Sequence, residues 1–139
     1  MNFLLDTCAI SETIKQNPNK HALARIKGLK EESCFLSVLT FGEIQAGLVK
    51  IPDSKRKTIL QHWFEVVLPN DFQGRVLAVT KEVALMWGKI QGEAQAMGKP
   101  IPVIDSLLAS TALVHQLAVV TRNWRHMKSS GVQILDPWA

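Results

Sequence analysis

Three acids stand where this chain could do chemistry. Asp6 ends a short apolar run, Glu43 lies one turn into a helix-forming stretch, and Asp105 follows Pro102 at the start of another. Singly, each has an ordinary use. Thr40-Phe41-Gly42-Glu43 fits a capping box in which Glu43 reaches back to the Thr40 amide. Asp105 in a first helical turn complements the helix dipole, and Asp6 can close an Asx-turn. Together they imply more, because no Lys or Arg adjoins any of the three in sequence. Carboxylates gathered at close quarters raise one another's pKa, and a divalent cation removes that cost. Magnesium favours carboxylate oxygen with retained waters. Held by few protein ligands, a metal acidifies a bound water, grips a phosphate oxygen and stabilises a departing alkoxide. That is the chemistry of phosphodiester hydrolysis.

Gathering these acids requires a scaffold that brings strand ends and helix starts together. The pattern predicts strands at 2–5, 34–36, 75–79, 117–120 and 132–135, each a short apolar run. Between them lie helical stretches. A short one opens at Ser11 and stops at Asn17-Pro18-Asn19, and another runs from His21 to Leu29. A helix follows Thr40, with Phe41, Ile44 and Leu48 on one face. The next runs from Ser54 to Val67, with Asp53 as a candidate cap. Thr80 caps a long helix through Ala96, closed by Gly98. Pro102 leads into Val103–His115, and Asn123–Lys128 forms one helical turn. Alternating strands and helices imply a parallel sheet covered on both faces. The expected class is α/β, a three-layer α/β/α sandwich with a mostly parallel central sheet. Its crevice lies at the carboxyl ends of the strands, where all three acids fall.

The rest of the composition sets bounds. At 139 residues, with no repeat, linker or low-complexity tract, we read one domain spanning 1–139. No apolar run approaches the roughly 18 residues of a membrane span. The opening Met1-Asn2-Phe3 has no basic segment and soon meets Asp6, unlike a secretory signal. Cys8 and Cys34 lack companions at zinc spacing and are too few for a disulfide framework. The expectation is a cytoplasmic protein with reduced thiols and no membrane partner. Sixteen Lys plus Arg against twelve Asp plus Glu leave a net charge of +4, which suits a polyanion beside a phosphate-handling site. A Walker loop is absent, and a receiver domain would need an acidic pair after its first strand.

The pieces resemble a known family. Phe3-Leu4-Leu5-Asp6-Thr7 with Ile10-Ser11-Glu12, then Ser37-Val38 with Gly42-Glu43-Ile44 and Gly47, begin the match. Ile101-Pro102, Asp105, Leu107, Ala109, Thr111 and Ala112 continue it. Val120-Thr121-Arg122-Asn123, Ile134-Leu135 and Pro137-Trp138 complete it in the right order. This pattern resembles the PIN domains, most closely the VapC toxin ribonucleases and their FitB-like group. The resemblance implies a Mg²⁺- or Mn²⁺-dependent endoribonuclease that cleaves RNA, forms a homodimer and is neutralised by a VapB- or FitA-like antitoxin. The size of any larger assembly stays open. It also implies that Asp6 and Asp105 ligate metal and that Glu43 completes the acidic triad, directly or through water. Thr7 and Ser11 would orient Asp6, while Thr121 and Asn123 would line the site.

Two departures matter. Cys8 stands where the family often has Asn. The fourth acid usual after the fourth strand is replaced by His126, with Asp136 the only later acid. A degenerate PIN domain that binds RNA or protein without cutting is therefore the alternative. Arg122, Arg125 and Lys128, beside Trp124 and His126, could contact RNA phosphates. Lys55-Arg56-Lys57 reads as a solvated helix face. Phe41 and the first helices could form an apolar groove for an antitoxin helix.

Overall fold

A computed structural model describes residues 1–139. Its centre is a five-stranded sheet, all parallel, in the order β3-β2-β1-β4-β5. The strands are β1 (Phe3–Leu5), β2 (Cys34–Ser37), β3 (Val76–Leu77), β4 (Ala118–Val120) and β5 (Ile134–Leu135). Side chains alternate across a strand, so neighbouring apolar residues serve opposite faces. Leu5, Leu36 and Val120 join one core with Ile10, Ile44 and Leu68. Leu4 and Val119 join the other with Leu108, Ala112 and Met127. Helices cover both faces, giving an α/β/α sandwich. No helix is long and apolar enough to cross a membrane.

The chain leaves β1 towards β2 and β3, then crosses back to place β4 on the other side of β1. The topological switch point therefore lies between the carboxyl ends of β1 and β4, where such sheets open a crevice.

Several local expectations are corrected. The first helix, α1 (Thr7–Glu12), begins four residues before Ser11 because Asp6 itself is the N-cap. The Asp6 carbonyl accepts from the Ala9 and Ile10 amides at 2.9 and 3.1 Å. Helix α2 spans Lys20–Lys27. Helix α3 (Val38–Val49) starts directly after β2 with Ser37 as cap, its hydroxyl accepting from the Leu39 amide at 3.1 Å. Thr40 thus lies inside the helix, the capping box does not form, and Glu43 is free for another partner. Ser54, rather than Asp53, caps α4 (Lys55–His62). The expected continuous helix widens into a π turn at Trp63–Val67 before α5 (Leu68–Asp71). Pro69 explains this: it has no N–H for the Glu65 carbonyl, and its ring would crowd that oxygen in a regular helix. Lys55-Arg56-Lys57 is not simply a solvated face. Arg56 donates to the Ile14 carbonyl and Lys57 to that of Ile51 at 2.9 Å, tying α4 to the preceding segments.

The remaining helices are α6 (Lys81–Ala96), α7 (Val103–His115) and the single turn α8 (Trp124–Met127). Thr80 caps α6 as expected, and Gly98 follows its end at φ +72°, a conformation that disfavours side chains.

Glu12 is 1 % exposed, which a charge tolerates only with partners. Lys15 Nζ lies 2.9 Å from one oxygen, and the Asn19 amide donates to the other at 3.0 Å. The buried Trp138 indole N–H, which has no other partner, faces the same carboxyl. Burial pushes the Glu12 pKa up, but these donors more than offset it and hold it below its ordinary value. The folded pKa is depressed, so this contribution is complete above the ordinary value of 4.5 and fades as pH falls below it. Glu12→Ala is expected to cost about 2 kcal/mol of stability at neutral pH, read by urea denaturation, with a smaller cost at acid pH.

Candidate functional site

The site grows from the ends of β1 and β4. The Asp6 amide donates to the Val120 carbonyl at 3.0 Å, so strand pairing fixes its backbone right up to the turn into α1. The residue is buried, at 4 % exposure. Thr121 Oγ1 donates to Asp6 Oδ2 at 2.6 Å, and the Thr7 amide donates to Oδ1 at 2.7 Å. The Cys8 thiol contributes a weaker contact to Oδ2 at 3.6 Å. Thr121 Oγ1 in turn accepts from the Asn123 amide at 2.9 Å, so the turn after β4 is built around the same hydroxyl.

Glu43 projects from the second turn of α3 towards α1. Thr7 Oγ1 donates to Glu43 Oε1 at 2.5 Å, linking two of the three acids through one residue. Asp105, in the first turn of α7, is 15 % exposed on its side chain, and His126 Nδ1 lies 2.7 Å from its Oδ2. The three carboxyls are close enough to feel one another. Burial, first, and the Asp105 charge push Asp6 above its ordinary pKa, against the lowering effect of its donors. Partial burial, then the charges of Asp6 and Asp105, raise Glu43 as well. Burial and Asp6 hold the Cys8 thiol up to about 11, so it is neutral at physiological pH.

The other expected residues divide. Thr7 and Thr121 orient Asp6, but Ser11 makes no hydrogen bond to it and instead lines an apolar groove beside Glu43 with Ile14, Leu48, Leu60 and Trp63. Phe41 is not in that groove and packs against Phe64, ring centroids 5.9 Å apart. Asn123 is exposed and begins α8 without using its side chain as a cap. Arg122 lies over the Trp138 ring at 4.5 Å, while Arg125 and Lys128 flank Trp124 at 4.9 and 6.0 Å. The Asp136 carboxyl accepts from the Trp138 amide at 2.9 Å and belongs to the C-terminal turn. Nothing in the sequence announces the meeting of His126 with Asp105, except that His126 stands where the family resemblance leads one to expect an acid.

The donors available to a cation are carboxylate oxygens that no Lys or Arg pairs, although His126 contacts Asp105, and such oxygens fit Mg²⁺ or Mn²⁺. No three His, Cys, Asp or Glu side chains are arranged to hold an ion by themselves, so an ion here would rest on few protein ligands and keep several waters. Loss of an outer hydrogen bond commonly costs such sites 10–100-fold. Thr121→Val is accordingly expected to weaken metal binding by about 10–100-fold, measured by calorimetric titration.

Known proteins share this arrangement of sequence and fold. The PIN domain model matches residues 3–130. Toxin FitB of Neisseria gonorrhoeae is 33% identical over 135 residues, covering 97% of each chain. VapC ribonuclease Y4jK of Sinorhizobium fredii is also 33% identical, over 97% of this chain and 96% of that one. The matching chain in the crystal structure of FitAcB from Neisseria gonorrhoeae superposes with a TM-score of 0.92 at 32% identity, covering 98% of both. With the family pattern matched across most of its length, the relatives aligned nearly end to end and the same fold observed, this chain belongs to the PIN-domain family, in its VapC- and FitB-like group.

Proposed function

We propose that this chain is a metal-dependent endoribonuclease and the toxin of a toxin–antitoxin pair, acting in the cytoplasm as a homodimer. The observation that carries the reading is the gathering of Asp6, Glu43 and Asp105 at the switch point, with Asp6 and Glu43 both raised by burial and neighbouring charge. Asp6 and Asp105 would hold Mg²⁺ or Mn²⁺, with Glu43 completing the set directly or through water. When bound, the ion supplies an acidified water and positive charge for the phosphate. The protein's own residues do the rest. Thr121 and the Thr7 amide fix the Asp6 carboxyl, and Thr7 Oγ1 holds Glu43 by one oxygen. The other Glu43 oxygen is available to take a proton from the attacking water.

A VapB- or FitA-like antitoxin would silence the site. Its support is the groove of about 300 Å³ that runs from Thr7 and Glu43 along Ile44, Leu48 and Trp63. The relatives' structures include FitAB and VapBC complexes. An arm in this groove could place an arginine against the carboxylates.

The second reading, binding without cutting, draws on His126 in contact with Asp105, where the family resemblance leads one to expect an acid. Two variants separate them. His126→Asp adds a carboxylate beside Asp105 and is expected to lower the Mg²⁺ needed for half-maximal cleavage about tenfold, roughly 1.4 kcal/mol. His126→Ala is expected to retain activity. If His126→Ala is as inactive as Asp105→Asn, His126 is itself catalytic. In cells, mapping RNA ends soon after induction tests the function, with Asp6→Asn as control. New ends and growth arrest that require Asp6 support the nuclease; arrest without new ends favours the binding module.

A further inference from the structure

His126, which contacts Asp105, also borders a second, basic cleft. It is bounded by Lys99, Pro100, Ile101 and Pro102 from the α6–α7 connection and by Arg125, His126, Lys128 and Ser129 from the α8 turn. Its volume is about 570 Å³, and none of these residues is acidic. Its α6–α7 side is held at one buried point. Gln91, buried at 5 % exposure, clamps Ile101 from both sides. Its Nε2 donates to the Ile101 carbonyl at 2.6 Å, and its Oε1 accepts from the Ile101 amide at 2.9 Å. Pro100 and Pro102 restrict the backbone on either side of that clamp. Opposite, Trp124 forms a shelf on which Arg125 and Lys128 rest, limiting the freedom of both cations. His126 is shared: its ring lines the cleft while its Nδ1 touches Asp105.

We propose that this cleft binds a backbone phosphate of single-stranded RNA, next to the phosphate that is cut, and so sets where the strand enters the site. The inference rests on the nuclease reading for the position of the cut, but not for the existence of the cleft. The acidic cluster repels a polyanion, so a neighbouring anchor of opposite charge must hold the strand there. Lys99, Arg125 and Lys128 supply that charge from two separate segments, and no sequence motif marks Lys99. The cleft holds a phosphate through charge and positions the strand without reading bases.

The test is fluorescence anisotropy of the full-length protein with a short labelled single-stranded RNA, in EDTA so that no cleavage occurs, across a salt series. Lys99→Ala and Arg125→Ala are each expected to weaken binding about tenfold. They should also flatten the slope of log Kd against log salt by about 0.7 for each phosphate no longer neutralised. Lys99→Arg should restore affinity, and Lys20→Ala, at the start of α2, should change nothing. Unchanged affinity and slope in both cleft variants, or equal weakening by Lys20→Ala, would overturn the cleft and leave the nuclease reading standing. Cleft-dependent binding by a parent protein that cuts no RNA would leave the cleft standing and defeat the nuclease reading. Absence of any RNA binding would defeat the cleft.

Discussion

Asp105→Asn and Asp6→Asn are each expected to reduce RNA cleavage by on the order of a thousandfold, about 4 kcal/mol of transition-state stabilisation, while leaving the fold intact. Asparagine keeps the size of the side chain and removes its charge. At Asp105 the loss falls on a partly exposed group whose packing is otherwise undemanding. At Asp6 the amide oxygen can still accept from the Thr7 N–H, so β1 and α1 should keep their junction, while the new NH2 faces Thr121 Oγ1, which must turn to accept from it. Removing a desolvated charge offsets the disturbed Thr121 hydrogen bond, so the thermal stability of the metal-free protein should stay nearly unchanged. A repulsive, desolvated charge disappears, and the Asp6 pKa is already pushed up in the fold. Activity lost without stability lost is the signature of a functional carboxylate. Equal loss of both would mark Asp6 as a structural cap only. Initial cleavage rates beside thermal melts separate these outcomes.

The second large effect is on stability. Asp6 and Glu43 both have raised pKa values, so their ionisation opposes folding. The sign is the reverse of that for Glu12: their contribution is greatest below the ordinary carboxylate pKa and is lost as pH rises through the raised values. At neutral pH the metal-free site therefore costs stability, and a bound cation offsets that cost. At a metal concentration of 100 times Kd the gain is about 2.7 kcal/mol. For a chain of this length that corresponds to roughly 8–10 °C in Tm. Mn²⁺ and Mg²⁺ should both produce the shift at pH 7, it should shrink towards pH 4, and it should vanish in an Asp6→Asn, Asp105→Asn double variant. A shift of the same size in that double variant would place the metal elsewhere.

The ends of β1 and β4 are legible in the sequence because each is an apolar run stopped by a polar residue, whereas β3 stops at Leu77 although Ala78 and Val79 continue the apolar run. Leu5 to Asp6 and Val120 to Thr121 are such boundaries, and they frame the site. The parallel sheet follows from alternating elements, and Thr80 and Gly98 mark α6 by local chemistry. What escapes depends on contacts between distant segments. Thr40-Phe41-Gly42-Glu43 has the residues of a capping box, but β2 delivers the chain straight into α3, and Ser37 takes the cap. Glu43 then bonds Thr7, a partner that only the pairing of β1 with β2 brings near. His126 meets Asp105 because α8 folds back beside α7 after β4. Glu12 reads as one acid of a polar helix until the C-terminal turn carries Trp138 against it. Arg56 and Lys57 look solvated because the carbonyls they satisfy belong to other segments.

Hydrolysis of RNA by the Asp6, Glu43 and Asp105 cluster with a divalent cation is open to direct assay. Its most direct measurement is the initial rate of cleavage of a labelled RNA by purified protein, titrated with Mg²⁺ and with Mn²⁺ from EDTA upward, beside Asp105→Asn purified identically. The expected result is no cleavage in EDTA, a saturable rise with either metal, and an almost flat response from Asp105→Asn. Cleavage that persists in EDTA, or that Asp105→Asn matches, would contradict metal-dependent hydrolysis by this cluster.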